Sequence, residues 1–268
     1  MPWRIDTAEP LPAALSRRIA ALVDGYDRVW SRFRPDSIVA RIAREAGSHA
    51  LPAEAAPLLG WYRELYEATG GRVSPLVGGA LAAAGHGPRL AGAEKAVPRW
   101  EEALAWDGER LDAVRPVTLD AGAAGKGQLV DLVAAALDGA GLDRWLVDAS
   151  GDLRGRGLPG LRVALEHPGD PRRAVGIAEP GDRALCASAA VRRDGLAHLL
   201  DAVTGLPSAG AVASWAVADT AMEADGAATA LLLEVDPALL RRHRVEHARL
   251  YADGRFEVSP GFPGEVFA

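Results

Sequence analysis

Three groups of residues in this sequence have types and spacings suited to chemistry. The first lies in LDAGAAGKGQLVD, Leu119 to Asp131, where Asp120, three glycines and Lys126 stand directly before an apolar helical pattern. Backbone N–H groups at a helix N-terminus, beside a lysine, suit an anion such as a phosphate. Glycines also let a ligand approach the backbone closely. A tight strand-to-helix turn has the same composition, so a phosphate cradle and a plain turn both stay open. The second group is Asp225 and Thr229, four residues apart in VADTAMEADGAATALLLE and so on one helical face. A carboxylate and a hydroxyl presented together are hard oxygen ligands suited to Mg²⁺. An Asp near a helix start and a Thr inside the helix are also commonplace. The third is His198 and Asp201, three apart in LAHLLDAVTGLPSAG. An imidazole titrates near neutrality and can serve as a base, but a histidine in an apolar stretch is also an ordinary core residue.

Other patterns fall short. Walker A needs a glycine where Asp120 stands and Ser or Thr where Gly127 stands. A G-x-G-x-x-G pattern occurs at Gly155, Gly157 and Gly160, but it precedes a strand pattern instead of a helix. His243 and His247 have H-x3-H spacing, yet arginines crowd them and HARLY reads as a strand, so no zinc site is expected. The arginine run at 241–244 reads as a solvated helix end.

The elements that must position these groups follow from periodicity. Residues 11–30 place Leu15, Ile19, Leu22, Tyr26 and Val29 at helical spacing. Asp36 or Ser37 can cap a helix through about Glu45, and 53–68 forms another, ended by Gly70-Gly71. The segment 76–84 is apolar and small, and a Gly-Pro loop follows it. V-T-L-D is strand-like and leads into the glycine loop, from which GQLVDLVAAAL continues as a helix. RWLVDA, LRVALEHP, ALCASA, LAHLLDA and GAVASWAVA read as strands. Asp219 to Glu234 reads as a helix, and VEHARLYADGRFEVS as a hairpin around Asp253-Gly254. Helices come mainly from the first half and strands from the second. This predicts one α+β domain over residues 1–268 with a mixed or antiparallel sheet.

Composition narrows the partners. With 30 Lys and Arg against 36 Asp and Glu, the formal net charge is −6, and both signs are interspersed. A nucleic-acid groove is not expected. No run of about 18 apolar residues suggests a membrane span. MPWRIDTAEP shows no basic segment followed by an apolar one, so no signal peptide is expected and the location reads as cytoplasmic. Cys186 is the one cysteine, which rules out an internal disulfide, and ALCASAA suggests a buried thiol.

Together these pieces resemble the FAD:protein FMN transferases, the ApbE family. LDAGAAGKGQLVD is similar to D-x-G-G-x-A-K-G-x-x-V-D of that family, and LVDASGDLRGRG to its L-V-N-x-G-G-D-[IV]-R-x-x-G. LRVALEHP is similar to the family's strand with an acidic-Pro ending. AHLLDAVTGLPS resembles H-[IV]-[IV]-D-P-x-T-G-x-P, and ADGAATALLL resembles A-D-A-x-A-T-A-L. SRFRPDSIVARI resembles S-x-[YF]-R-P-D-S-E-[LI]-x-R-L, and TGGRVSPLVGG resembles T-G-G-x-F-D-P-x-V-G. The resemblance spans about residues 28 to 258, with the motifs in family order.

The resemblance implies an enzyme that binds FAD with Mg²⁺. It transfers the FMN half to a Thr or Ser hydroxyl of a target flavoprotein and releases AMP. It places Asp120 and Lys126 against FAD, and the Ala123 carbonyl with Asp225 and Thr229 around Mg²⁺. It gives His198 the role of base, with Asp201 orienting it or binding nearby. Phe33, Arg72, Val73, Ser74 and Leu199 fall at positions lining the flavin pocket. Departures are equally specific. The opening strand of the family, with its M-G-T, is represented only by what looks like its tail. Ser74 replaces the Asp of F-D-P, Ala202 replaces the Pro after Asp201, and Ala189 to Arg193 lacks the tyrosine of T-S-G-x-Y-E-R. A flavin carrier without transfer activity and an FAD pyrophosphatase are the rival expectations.

Overall fold

A computed structural model of the chain describes residues 3–88, 96–190, 199–208 and 210–267. Its helices are α1 (Ala13–Trp30), α2 (Ile38–Ile42), α3 (Ala55–Ala68), α4 (Gly78–Ala83), α5 (Trp100–Ala103), α6 (Gly125–Asp138), α7 (Ala221–Leu231) and α8 (Pro237–Arg242). A short 3₁₀ turn, Pro75–Val77, precedes α4. The strands are β1 (Arg4–Thr7), β2 (Gly47–Ala50), β3 (Leu104–Trp106), β4 (Arg110–Ala113), β5 (Trp145–Asp148), β6 (Asp152–Arg156) and β7 (Val163–His167). They continue as β8 (Asp170–Ala178), β9 (Ala184–Ala189), β10 (Ala211–Ala218), β11 (Glu246–Tyr251), β12 (Phe256–Val258) and β13 (Gly264–Val266).

Seven strands form the main sheet, in the order β1-β5-β6-β9-β10-β11-β12. Two three-stranded sheets, β13-β8-β7 and β2-β4-β3, flank it. Every strand pair among the described residues is antiparallel. The α+β expectation holds, and the sheet takes the antiparallel form rather than the mixed one.

One helix organises the site. Helix α7 lies against β9 and β10 on one side and α6 and α3 on the other. Its composition permits this: Ala221, Ala224, Ala227, Ala228 and Ala230 have no exposed surface. Small side chains let a helix sit close to a sheet and to two helices at once. Thr220 caps it, accepting from the Glu223 N–H at 3.2 Å. The approach of α6 is closer still. A Cβ on Gly127 would fall inside the van der Waals shell of the Ala221 carbonyl oxygen and 2.8 Å from Asp225 Cβ.

Several expectations shift in detail. Ser37 does cap α2, its Oγ accepting from the Ala40 N–H at 3.1 Å, but the helix stops at Ile42. Arg44 and Glu45 both donate to the Arg41 carbonyl in a turn, and Gly47 follows at φ +118°. The residues V-T-L-D form no strand. Instead Val117 N–H bonds the Ile42 carbonyl and Asp120 N–H bonds the Pro75 carbonyl. LAHLLDA is no strand in its described part: Leu200 makes a single bridge to Pro207, and Asp201 begins a turn. The small sheet β2-β4-β3, β8 and β13 go beyond what periodicity suggested.

Candidate functional site

The glycine loop joins α3, α6 and α7. Its amides are mostly taken by the protein. Gly122 N–H donates to Asp120 Oδ1 at 2.7 Å, Ala123 N–H to the Tyr62 hydroxyl at 3.1 Å, and Gly125 N–H to the Ala121 carbonyl at 2.7 Å. Gly127 N–H donates to Asp225 Oδ2 at 2.9 Å. The loop is therefore a tight turn stitched to its neighbours, not an open row of amides. The group it offers an anion is the lysine side chain.

Lys126 Nζ lies 2.9 Å from Asp152 Oδ2, and Asp152 is completely buried at the start of β6. Asp225 is buried beside them. Its burial pushes the carboxyl well above the usual carboxylate range, and the negative charge of Asp152 adds to the rise. Burial likewise raises Asp152, against the opposing charge of Lys126. For Lys126, burial pulls the ammonium down, but Asp152 and Asp225 outweigh it and the net direction is up. Two buried carboxyls facing one ammonium cannot both ionise at low cost in so poorly solvated a place. Such a place favours a further cation.

Hard oxygens surround that charge. Thr229 Oγ1 donates to the Ala123 carbonyl at 3.4 Å and lies 3.3 Å from Ser188 Oγ of β9. Asp225 stands one turn earlier on α7. The structure thus brings Ala123, Asp225 and Thr229 together at the head of α6, next to Lys126. Among the described residues, no cluster of three or more His, Cys, Asp or Glu could hold a metal. A cation here would rest on a carbonyl, a hydroxyl and a carboxylate, a donor set that suits Mg²⁺. His243 and His247 do not converge on a metal. His243 is held between Glu223 and Glu64, each at 2.9 Å, and His247 sits on β11.

Asp131, the last residue of the glycine motif, secures α7. Its carboxylate accepts from the N–H groups of Ala221 and Met222, both at 2.9 Å, and pairs with Arg154. Burial raises its pKa, against these bonds.

The other expected residues divide. Asp120 is paired with Arg32, whose Nε lies 2.5 Å from Asp120 Oδ2. Phe33 is 63% exposed, with the Arg32 guanidinium 4.5 Å from its ring centroid. Arg72 pairs with Asp201. Asp201 Oδ1 also accepts from the N–H groups of Val203 and Thr204, at 2.8 and 3.3 Å. Asp201 therefore shapes the 201–207 turn and fixes it to Arg72. Val73 is only 3% exposed and packs in the main core. Ser74 caps the 3₁₀ turn, its Oγ accepting from the Leu76 N–H at 3.2 Å. Leu199 is half-buried. His198 lies outside the described residues, as do 191–193 of the altered T-S-G-x-Y-E-R segment. Cys186 is buried as expected, its thiol raised by burial and by Asp152.

Sequence reasoning missed Arg32, Asp152, Ser188 and the capping role of Asp131. Asp152 had a signal: it is the acid of LVDASGDLRGRG, a stretch already matched to the family pattern. Arg32 and Ser188 had none, since only tertiary pairing reveals them.

This fold, with its glycine loop facing a carboxylate-and-hydroxyl helix, defines a class. The chain belongs to the ApbE family, whose profile matches residues 1–248. It is 36% identical over 145 residues to an FAD:protein FMN transferase of Vibrio cholerae, a match covering 49% of this chain and 43% of that protein. It is 26% identical over 262 residues to one of Klebsiella pneumoniae, covering 86% and 75%. The first match thus spans less than half of the Vibrio relative. Among solved structures, the flavin transferase ApbE from Vibrio cholerae superposes with a TM-score of 0.82 at 25% identity, covering 97% of this chain and 94% of that one. The apo flavinyl transferase ApbE of Pseudomonas stutzeri, at 22% identity and a TM-score of 0.77, shares the fold, over 96% and 91% of the two chains. No described helix is long and apolar enough to cross a membrane.

Proposed function

We propose that this chain is an FAD:protein FMN transferase that works in the cytoplasm as one ApbE-like domain. It moves the FMN half of FAD to a Thr or Ser hydroxyl of a target flavoprotein. One observation carries the proposal beyond family membership: buried Asp152 and Asp225 face a single ammonium, Lys126, beside the Ala123 carbonyl and the Thr229 hydroxyl. A divalent cation at Ala123, Asp225 and Thr229 would let both carboxyls ionise, which the single ammonium does not. Mg²⁺, when bound, supplies neutralisation of charge on the diphosphate. Lys126 adds a positive charge from the protein, and Asp120 and Phe33 border the ligand.

Phosphoryl transfer asks the protein mainly for position and charge. The target hydroxyl oxygen forms a bond to the FMN phosphorus as the anhydride P–O bond breaks. AMP leaves with the anhydride oxygen. His198 accepts the hydroxyl proton, and Asp201 holds the turn that follows it against Arg72. The test is incubation with FAD, Mg²⁺ and a candidate target, followed by intact mass of the target and an AMP assay. A mass gain with AMP supports transfer. AMP alone means a pyrophosphatase, and bound flavin without AMP means a carrier. His198→Ala should lose about 10²–10⁴-fold in transfer while keeping FAD affinity and melting temperature. Joint loss of all three would make His198 structural.

A further inference from the structure

In the S-x-[YF]-R-P pattern, Arg32 fills the unspecified place, while Phe33 and Arg34 fill specified ones. The structure reverses the expected importance. Arg34 lies at the surface, paired with Asp24 at 2.7 Å and Asp36 at 3.0 Å. Arg32 is 5% exposed and makes three contacts at the edge of the candidate site. Its Nε reaches Asp120 Oδ2 and its Nη1 reaches the His86 carbonyl, each at 2.5 Å, while its guanidinium stacks on Phe33. The neighbouring turn leaves room for nothing more. Gly87, at φ +82°, would place a Cβ against the Phe33 ring and 2.7 Å from Arg32 Nη1.

The contact has consequences along the chain. The other oxygen of Asp120, Oδ1, accepts from Gly122 N–H at 2.7 Å. Asp120 is thus gripped on one side by Arg32 and itself grips the turn leading to Ala123 and Lys126. A guanidinium suits this task because its fork is rigid and permanently charged.

We propose that Arg32 is a positioning residue: it fixes Asp120, and through it the turn bearing Ala123 and Lys126, and so sets the affinity for FAD. The inference rests on the FAD-dependent function proposed above. Arg32→Met keeps a stem over Phe33 but removes the guanidinium, and Arg32→Lys keeps the charge without the fork. Flavin fluorescence with Mg²⁺ present gives the FAD Kd, and transfer assays give KM and kcat. Arg32→Met weakens FAD by about 10- to 100-fold, the range for a lost charge-assisted bond. KM rises in parallel, kcat falls less, and Arg32→Lys is intermediate. Asp120→Asn has a similar effect, and the double variant Arg32→Met/Asp120→Asn is no worse than the Asp120 variant alone, as for residues acting in series.

Unchanged Kd in Arg32→Met, or penalties that multiply in the double variant, overturns the proposal. So does a lower melting temperature with Kd and KM unchanged, the signature of a purely structural arginine. Should Arg32→Met fail to fold, Arg32→Lys decides: wild-type Kd overturns the proposal, and a several-fold loss supports it. A wild-type chain that binds no FAD removes the functional proposal itself, a result distinct from equal binding by wild type and variants.

Discussion

Two glycine-rich stretches of this chain look alike on paper and differ in their surroundings. At Gly122–Gly127, the turn carries Lys126 into a buried setting with Asp152 and Asp225. At Gly155–Gly160, the G-x-G-x-x-G pattern closes β6 and leads to the solvent. There Gly157 N–H donates to Asp182 Oδ1 at 2.9 Å, so a carboxylate already sits where an anion would. Glu179 and Asp182 line the adjoining groove, and the ion pair of Glu179 with Arg162, at 3.2 Å, is solvated on both sides. Glycine spacing alone permits close approach of a backbone. What approaches, and with what charge, is decided by the residues that the fold delivers.

The largest test of this contrast is Gly127→Ala. Its Cβ must displace the Ala221 carbonyl or Asp225, and overpacking against backbone costs about 3 kcal/mol. A thermal melt should fall by roughly 6–12 °C; a melt within 2 °C of wild type would show that α6 and α7 are not locked. Next comes Asp225→Ala, which removes the charged member of the proposed cation site and should lower transfer by about 10²-fold, the scale of a lost transition-state contact. Thr229→Val removes only a neutral member of that proposed site and should cost less. Turnover indifferent to EDTA would remove the metal from the account.

Lys126→Ala should weaken FAD by roughly 1.5–3 kcal/mol and riboflavin, which has no phosphate, far less. Equal losses would mean that Lys126 serves only to neutralise Asp152. The smallest effect belongs to the other loop. Gly160 is at φ +75° with open space around it, so Gly160→Ala meets only the left-handed strain of about 1 kcal/mol. It should leave FAD binding untouched. A change in FAD affinity there would contradict the contrast between the loops.

Much of this was legible from pattern. Helix α1 kept its face because Leu15, Ile19, Tyr26 and Val29 are all buried. Helix α3 ended where expected because Gly70 and Gly71 take φ +59° and +88°. Lys126, Asp225 and Thr229 came together because glycine and alanine patterns mark helices able to approach closely. What escaped was pairing at long range. The pairing of Asp201 with Arg72, distant in sequence, had no local signal. The place of Val73 in the main core likewise depends on residues far along the chain. Strands β2, β3 and β4 are short and partly exposed, so they carry too little alternation to be recognised.

The bond between Asp131 and the start of α7 also fixes an order of events. Asp131 and Ala221 are 90 residues apart, and every group from β5 to β10 must find its place between them. Closing so long a loop precedes any reward from its contacts. A nascent chain that ends before Ala221 already holds Asp120, Lys126 and Asp131, but it has nothing for Asp131 to cap and no Asp225 to face the lysine. The proposed site is therefore completed late, when the stretch from Ala221 onward docks.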